Sequence, residues 1–209
     1  MSDSGPGPRQ PERRRSVFIN CPFDPDFEEQ LHAIAFAIIA CGFEPRSALE
    51  REHPSEPRIK RIERLLLASK YLIHDLSRCT GEGDRQLARL NMPLELGMAM
   101  GLRLGSQSET NEHDWHVLVL EKYRYSGFIS DRDGFDPGVY DGSVPQIIRA
   151  VIRWLRTRPD AIPEPTVRRV VDSFADFQVE KELREADELG RLSWLQILRL
   201  AKEKVPTLT

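Results

Sequence analysis

The feature that most constrains the fold of this chain is a short apolar run followed directly by a longer segment with helical periodicity. Residues 16–20 read SVFIN, which is typical of a strand that is buried on both faces of a sheet. Asp24, with the proline after it, provides a helix start, and apolar residues then recur at helical spacing from Phe27 until Gly42. The segment therefore predicts one strand–helix unit.

The same unit recurs along the chain. Further apolar runs predict strands at residues 43–46, 71–75 and 116–120, and further helical patterns begin at Pro57, Asn91 and Val144, the last two ending near Leu104 and Leu155. Strands that alternate with helices imply a parallel sheet with helices on both faces. The predicted fold class is therefore α/β.

Composition divides the chain into three parts. Residues 1–15 are rich in Pro, Gly, Ser and Arg without periodicity, so they predict a disordered tail. Residues 16–157 hold the strand–helix units and predict the α/β domain. Residues 158–209 begin with a proline-rich linker and continue as two helical patterns, which predicts a C-terminal helical hairpin. The hairpin either packs on the domain or binds a partner, including a second copy of the chain.

Charge and motifs argue against several classes of protein. Hydrophobic residues make up 40% of the chain and charged residues 30%, as in ordinary globular proteins. The net charge of -3 argues against nucleic acid as a partner, because no basic excess exists to neutralise phosphates. We interpret Arg13–Arg15 as part of the solvated tail. No Gly-rich phosphate loop, zinc-binding helix or nucleophile elbow is present, which argues against a kinase, a protease or an esterase.

The N-terminus and the cysteines predict a cytoplasmic protein. No apolar stretch follows the first charged residues, so a secretory signal is not expected, and the run Leu31–Phe43 is too short to cross a bilayer. Cys21, Cys41 and Cys79 are odd in number and lack metal or redox spacing, which favours a reducing compartment. Residues 130–136 lack the glycine position and the closing glutamate of a calcium loop, so no metal site is expected.

Polar residues collect where the predicted strands end. Parallel α/β sheets bind ligands beyond the carboxyl ends of their strands, near the point where strand order reverses. The candidate binding residues at these ends are Asn20, Phe23, Arg46, Asp75, Ser77 and Asn91. Asp75 is predicted either to hold a ribose hydroxyl or to cap the loop after its strand, and His74 is interpreted as an interior histidine. Arg46, with Arg58 or Arg61, is a candidate partner for phosphate.

Glu95 is the candidate reacting residue because of its place in the chain. If Asn91 or Met92 caps the helix, Glu95 lies in the first turn, where N–H groups and the helix dipole favour negative charge by roughly 0.3–1 kcal/mol. An ionised carboxylate beside a ligand cleft suits stabilisation of, or attack on, a positively charged sugar carbon. The alternative is that Glu95 only complements the helix terminus.

Three segments carry a resemblance to a known superfamily, namely FINCPFD at 18–24, HDLSR at 74–78 and NMPLELG at 91–97. Over about residues 16–157 the chain resembles the TIR-like and nucleoside 2-deoxyribosyltransferase-like superfamily. The resemblance implies a flavodoxin-like sheet and cleavage of an N-glycosidic bond. It also implies that Glu95 is the functional glutamate of the helix after the third strand, and that Asp75 is the aspartate at the end of that strand.

The residues and the resemblance together predict an N-glycosidase-type enzyme that cleaves NAD or a related nucleotide, with NAD as the substrate and no cofactor. Glu95 would stabilise the oxocarbenium-like ribosyl centre, and Asp75 would hold the ribose hydroxyls. A defence or signalling role, switched on by homo-oligomerisation through the C-terminal helices, is a further expectation. Two alternatives stay open: base exchange by a deoxyribosyltransferase-like enzyme, and a non-catalytic nucleotide-binding or TIR-like interaction module.

Overall fold

The sheet has five parallel strands in the part of the chain that the structure describes. A computed structural model describes residues 13, 15–50, 55–78, 91–105, 113–120, 136–162 and 166–206. The strands are β1 (Ser16–Asn20), β2 (Glu44–Ser47), β3 (Tyr71–Asp75), β4 (Asp114–Val119) and β5 (Gly138–Val139). Their order across the sheet is β2-β1-β3-β4-β5, and every pairing is parallel. This is the flavodoxin-like order of a doubly wound α/β fold.

The helices follow the strands in the chain as the sequence predicts. They are α1 (Glu28–Ala40), α2 (Arg58–Ala68), α3 (Asn91–Gly105), α4 (Val144–Leu155), α5 (Val167–Asp187) and α6 (Trp194–Lys204). A 3-10 turn, Pro25–Phe27, leads into α1, Pro57 stands directly before α2, and Pro145 lies in the first turn of α4. A proline is tolerated at these places because the first N–H groups of a helix have no partner within it.

Alternation along β1 sends apolar side chains to both faces of the sheet. Val17 and Ile19 belong to a hydrophobic cluster with α1, α4, α5 and α6. Phe18 points the other way and packs against α2, and Ala99 of α3 belongs to the same cluster. Because both faces are covered by helices, all five residues of β1 are buried.

The C-terminal helices pack on the α/β domain. Phe36 of α1 contacts Phe174 and Phe177 of α5, with ring centroids 5.5 Å apart in both pairs. Ile197 and Leu200 of α6 belong to the same hydrophobic cluster as α1. The sheet thus covers one side of α1 and the hairpin covers the other, which explains why that helix is apolar nearly all round. Packing on the domain is therefore observed, and binding of a partner by the hairpin stays a prediction.

The predicted strands need three corrections. β2 begins and ends one residue later than predicted, and β4 begins at Asp114, two residues earlier. The prediction omits β5, because Gly138 and Val139 form no apolar run and are held in the sheet by pairing with β4. Residues 1–12 and most of the 130–136 segment lie outside the described residues. Within the described ranges, no helix combines the length and the apolarity that crossing a membrane requires.

Candidate functional site

The carboxyl ends of β1 and β3 meet where the chain reverses its direction across the sheet. β1 leads to α1 on one face, whereas β3 precedes α3, which packs on the other face. Neighbouring strands whose connections leave on opposite faces form a crevice at their carboxyl ends, which is the usual ligand position in open α/β sheets. Asn20 at the end of β1 stands opposite His74 of β3. The predicted site residues Asn20 and Asp75 are therefore brought to one place.

Asn20 positions the helix that carries Glu95. Its side-chain nitrogen donates to the carbonyl oxygen of Met92 at 3.0 Å and lies 2.8 Å from Nδ1 of His74. Asn20 is 2% exposed and His74 is fully buried, so the interior position predicted for the histidine is confirmed. The amide of Asn20 thus ties β1 and β3 to the first turn of α3 and does not face solvent.

Asp75 is fully buried, and its carboxylate is held by two neighbouring side chains. Oδ1 accepts a hydrogen bond from the backbone N–H of Ser77 at 3.0 Å and another from the Ser77 hydroxyl, and Oδ2 accepts from the hydroxyl of Tyr140 at 2.7 Å. Burial raises the pKa of Asp75, although the hydrogen bonds from Ser77 and Tyr140 oppose the rise. Of the two predicted roles, the structure shows the cap of the loop. A contact between Asp75 and ribose would require Ser77 or Tyr140 to move.

Glu95 lies just below the surface beside an exposed arginine. The residue is 5% exposed, and its Oε1 lies 3.8 Å from Nη2 of Arg58. This distance is too long for a hydrogen bond, so the two groups interact through charge alone. The side chain of Arg58 is 56% exposed, which means that the pair is at the rim of the protein and not deep in its interior. Among the described residues, Arg58 is the one cation paired with this carboxylate.

Burial raises the pKa of Glu95 from 4.5 to about 7, and the charge of Arg58 opposes this rise. The prediction that Glu95 lies in the first turn of its helix is wrong, because α3 begins at Asn91 and its first turn contains no acidic residue. The electrostatic benefit of a helix N-terminus falls off within the first turn. The sequence predicted that the helix N-terminus keeps Glu95 ionised, and the structure does not show this. With a pKa of about 7, Glu95 is present in both protonated and ionised forms near neutral pH.

Cys21 is a buried cysteine that follows β1 directly. The residue is 2% exposed, and burial, followed by the negative charges of Asp75, Glu95 and Asp24, raises the pKa of its thiol well above the usual value. The thiol of Cys21 therefore stays protonated near neutral pH and is no nucleophile.

Phe23 and Arg58 form the accessible rim near Glu95. The guanidinium carbon of Arg58 lies 5.6 Å from the centre of the Phe23 ring, which is a cation–π distance. Phe23 is half-buried, and Asn91 is exposed at the start of α3. Phe23 and Asn91 are predicted binding residues that present surface to a ligand, and Arg58 adds a cation that contacts the Phe23 ring and lies near the Glu95 carboxylate.

The other two arginines that were candidates for phosphate binding are engaged by the protein itself. Arg46 donates to the carboxylate of Glu50 at 2.6 and 2.9 Å. Arg61 donates to the carbonyl oxygen of Ala48 at 3.2 Å and lies 3.6 Å from the Glu56 carboxylate. A phosphate at either arginine would have to compete with these contacts, so Arg58 is the better placed of the three.

A long groove runs beside this site, between β2, α1 and α6. Its volume is about 1460 Å³, and Phe23 and Asp24 belong to its lining. Neither Glu95 nor Asp75 belongs to that lining. The ring of Phe23 therefore connects the groove to Arg58 and Glu95, but the groove does not contain the candidate reacting carboxylate.

Two residues of the site were not assigned a role there by the sequence. Tyr140 follows β5 directly and was missed because β5 was missed; a strand at Gly138–Val139 would have placed this tyrosine at a carboxyl end of the sheet. Cys21 was read as a residue without special spacing, although it follows β1 directly. The position after a strand is thus the signal that could have found both.

The strand order and the polar cluster at the reversal point define the class of this protein, which is a flavodoxin-like α/β protein with a C-terminal helical extension. Comparison of the chain with profiles of protein families gave no match, and comparisons with curated proteins and with solved structures gave none either. The resemblance to TIR-like and deoxyribosyltransferase-like proteins therefore stays an expectation that rests on the quoted segments.

Proposed function

We propose that this protein is an N-glycosidase-type enzyme that hydrolyses NAD or a related nucleotide at the carboxyl ends of β1 and β3. The observation that carries the proposal is the buried carboxyl group of Glu95, whose pKa is raised to about 7. A carboxyl group with a pKa near the working pH is suited to acid–base and electrostatic roles, and strongly perturbed groups concentrate at functional sites. Asp75 supports the proposal, because it is a second buried acid and ends β3, the strand that pairs with β1.

In the proposed reaction, the bond between ribose C1′ and the ring nitrogen of nicotinamide breaks. The electron pair of that bond leaves with nicotinamide, which becomes a neutral molecule without help from an acid. A water oxygen bonds to C1′ and loses a proton, so NAD⁺ and water give ADP-ribose, nicotinamide and a proton. The ionised carboxylate of Glu95 would stabilise the positive charge that develops at C1′ and accept the proton of the water.

The other residues of the crevice would bind or position. Phe23 offers an aromatic face to a base, and Arg58 offers an exposed guanidinium to a phosphate or a hydroxyl group. Asn20 positions Glu95 through its hydrogen bond to the first turn of α3. Asp75 positions the loop after β3 through its bonds to Ser77.

Release of nicotinamide from NAD tests the proposal. We expect turnover by the unmodified protein and a loss on the order of a hundredfold or more in Glu95→Gln, which keeps the shape of the side chain and removes the charge. Glu29→Gln is the matched control, because Glu29 is an exposed carboxylate on α1. The measurement covers a range of protein concentrations, since the sequence also predicts that assembly through the C-terminal helices switches the activity on. Full activity in Glu95→Gln would remove Glu95 from the mechanism.

Two further incubations separate the proposal from its alternatives. A deoxynucleoside offered together with a free base yields an exchanged nucleoside if the enzyme is a deoxyribosyltransferase. If no substrate turns over at any protein concentration while a nucleotide raises the melting temperature, the protein is a binding module and the enzymatic proposal is wrong.

The arginine at the rim gives a test through pH. Because Arg58 holds the pKa of Glu95 below the value that burial alone would give, Arg58→Ala should raise that pKa further. If ionised Glu95 is the active form, nicotinamide release falls as the pH drops through about 7, and in Arg58→Ala this fall moves to higher pH. Initial rates from pH 5.5 to 9 check both points. A profile that is the same in both proteins would show that Arg58 does not act on the catalytic group.

A further inference from the structure

The groove between β2, α1 and α6 is a second place where a small molecule fits. Its volume of about 1460 Å³ is above the roughly 300–1,000 Å³ of ordinary ligand pockets. Much of its lining is apolar and includes Leu31, Leu49, Trp194, Ile197 and Leu198. The groove therefore has both the space and the surface to hold an apolar body.

Ion pairs fix the two ends of the groove. Arg191, which precedes α6, lies 3.4 Å from the carboxylate of Glu28 at the start of α1. Lys202 near the end of α6 lies 2.9 Å from the carboxylate of Glu44 at the start of β2. Between Trp194 and Lys202 the helix rises about 12 Å, at about 1.5 Å per residue. The groove is therefore elongated, and its wall along α6 has about this length.

The edge of the sheet in this groove is poorly suited to pairing with another strand. β2 is the edge strand of the described sheet. Pro45 has no N–H group, and the N–H of Ser47 donates to Oε1 of Glu50 at 2.9 Å. Alternate residues of a parallel strand direct their N–H groups to the same side, so Pro45 and Ser47 are the residues that face away from β1. Neither of these two outward-facing residues of β2 offers a free N–H group, which disfavours an extended peptide and favours a small molecule.

The charges of the groove leave an excess of positive charge at one end. Its acidic residues are all paired with cations: Asp24 with Arg78, Glu28 with Arg191, Glu44 with Lys202 and Glu50 with Arg46. Arg15 and Arg199 also line the groove and have no acidic partner among the described residues; Arg15 donates to the carbonyl oxygen of Gly42 at 2.9 Å. Arg15 precedes Ser16, which stands opposite Glu44, and Arg199 lies one turn before Lys202. Both arginines thus belong to the Lys202 half of the groove.

Two buried nitrogen atoms belong to side chains that line the groove. Nδ1 of His32 and Nε1 of Trp194 are buried and have no hydrogen-bond partner in the described part of the chain, and His32 as a whole is 5% exposed. Burial lowers the pKa of His32 to about 4, so its ring is neutral. Buried polar atoms nearly always have a partner, and an exception points to a missing polar atom nearby. His32 lies one turn after Glu28 and Trp194 lies three residues after Arg191, so both nitrogens belong to the other half of the groove from Arg15 and Arg199 and take no part in holding an anion there.

We propose that the groove is a binding site for a small anionic ligand with an elongated apolar body, such as a medium-chain carboxylate. The carboxylate would pair with Arg15 and Arg199, and the apolar body would lie along Leu49 and Leu198. The site is distinct from the crevice at Glu95 and requires no catalytic activity there.

Calorimetric titration of the full chain with decanoate tests this proposal. Decyltrimethylammonium, which has a chain of the same length and the opposite charge, is the matched probe. We expect one decanoate per chain and much weaker binding of the cation. Arg199→Glu should weaken decanoate binding by about tenfold or more, since it replaces an attractive charge by a repulsive one. Arg153→Glu, which reverses an exposed charge at the end of α4, should leave the affinity unchanged.

A second variant keeps the test independent of charge. Leu49→Trp adds a large side chain within the groove and should block decanoate, while circular dichroism checks that the variant is folded. Equal binding of the two probes would overturn the proposed role of Arg15 and Arg199. Decanoate binding that neither Arg199→Glu nor Leu49→Trp weakens would show that the groove is not the site.

Discussion

The raised pKa of Glu95 predicts that this residue destabilises the folded protein at high pH. Its pKa is about 7 in the folded protein against a usual value of 4.5. A group whose folded-state pKa is raised contributes stability below its unfolded pKa and loses that contribution as the pH rises through the folded value. The difference between the two pKa values lowers the free energy of unfolding by on the order of 3 kcal/mol at pH 8. At pH 5 it lowers that free energy by less than about 1 kcal/mol.

The substitution Glu95→Gln removes this penalty without changing the size of the side chain. We expect the variant to exceed the unmodified protein in free energy of unfolding by on the order of 3 kcal/mol at pH 8, with a much smaller difference at pH 5. Urea titrations followed by circular dichroism at several pH values measure both quantities. Glu29→Gln, at an exposed position, should show no such dependence on pH. A Glu95→Gln variant that is no more stable than the parent at pH 8 would refute the burial argument for this carboxylate.

Three further substitutions test the packing around the site by urea unfolding. Tyr140→Phe removes the hydroxyl that donates to buried Asp75 at 2.7 Å and should destabilise the protein by about 1–3 kcal/mol; a change near zero would show that the hydrogen bond is unimportant. Gly138→Ala would place its Cβ 2.5 Å from Nε2 of His116 and should cost about 1–3 kcal/mol. A Cβ at Gly97 meets no atom of the described residues within 4 Å, so Gly97→Ala should stabilise α3 by about 0.5–1 kcal/mol. Equal effects of the two glycine substitutions would contradict this difference in packing.

Much of the fold could be predicted from the sequence because its periodic segments are long and apolar. The strand Ser16–Asn20 and the helix Val144–Leu155 were predicted at the bounds that the structure shows. β5 could not be predicted, because its two residues have no pattern of their own and adopt strand geometry only through pairing with Leu118 and Val119. The apolar pattern of α1 indicated burial, but it did not show that the C-terminal helices cover one side of this helix.

The candidate site was predicted in its position and only partly in its contacts. The rule that ligands bind at carboxyl ends of parallel strands groups Asn20 and Asp75 together from the sequence alone. Their partners lie far away in the chain: Met92 for Asn20 and Tyr140 for Asp75. No spacing rule connects such pairs, so the sequence did not show that both side chains form hydrogen bonds with other residues of the protein.

Local patterns in the sequence by themselves determined the α/β class, the order of strands and helices along the chain, and the location of Glu95 early in the helix after β3. These properties depend on short-range periodicity, which a single segment carries. The tertiary structure alone decided three properties. These are the raised pKa of that glutamate, the hydrogen bond from Tyr140 to Asp75, and the groove between β2, α1 and α6. Desolvation and contact between distant segments produce these properties, and both exist only once the helices have packed against the sheet.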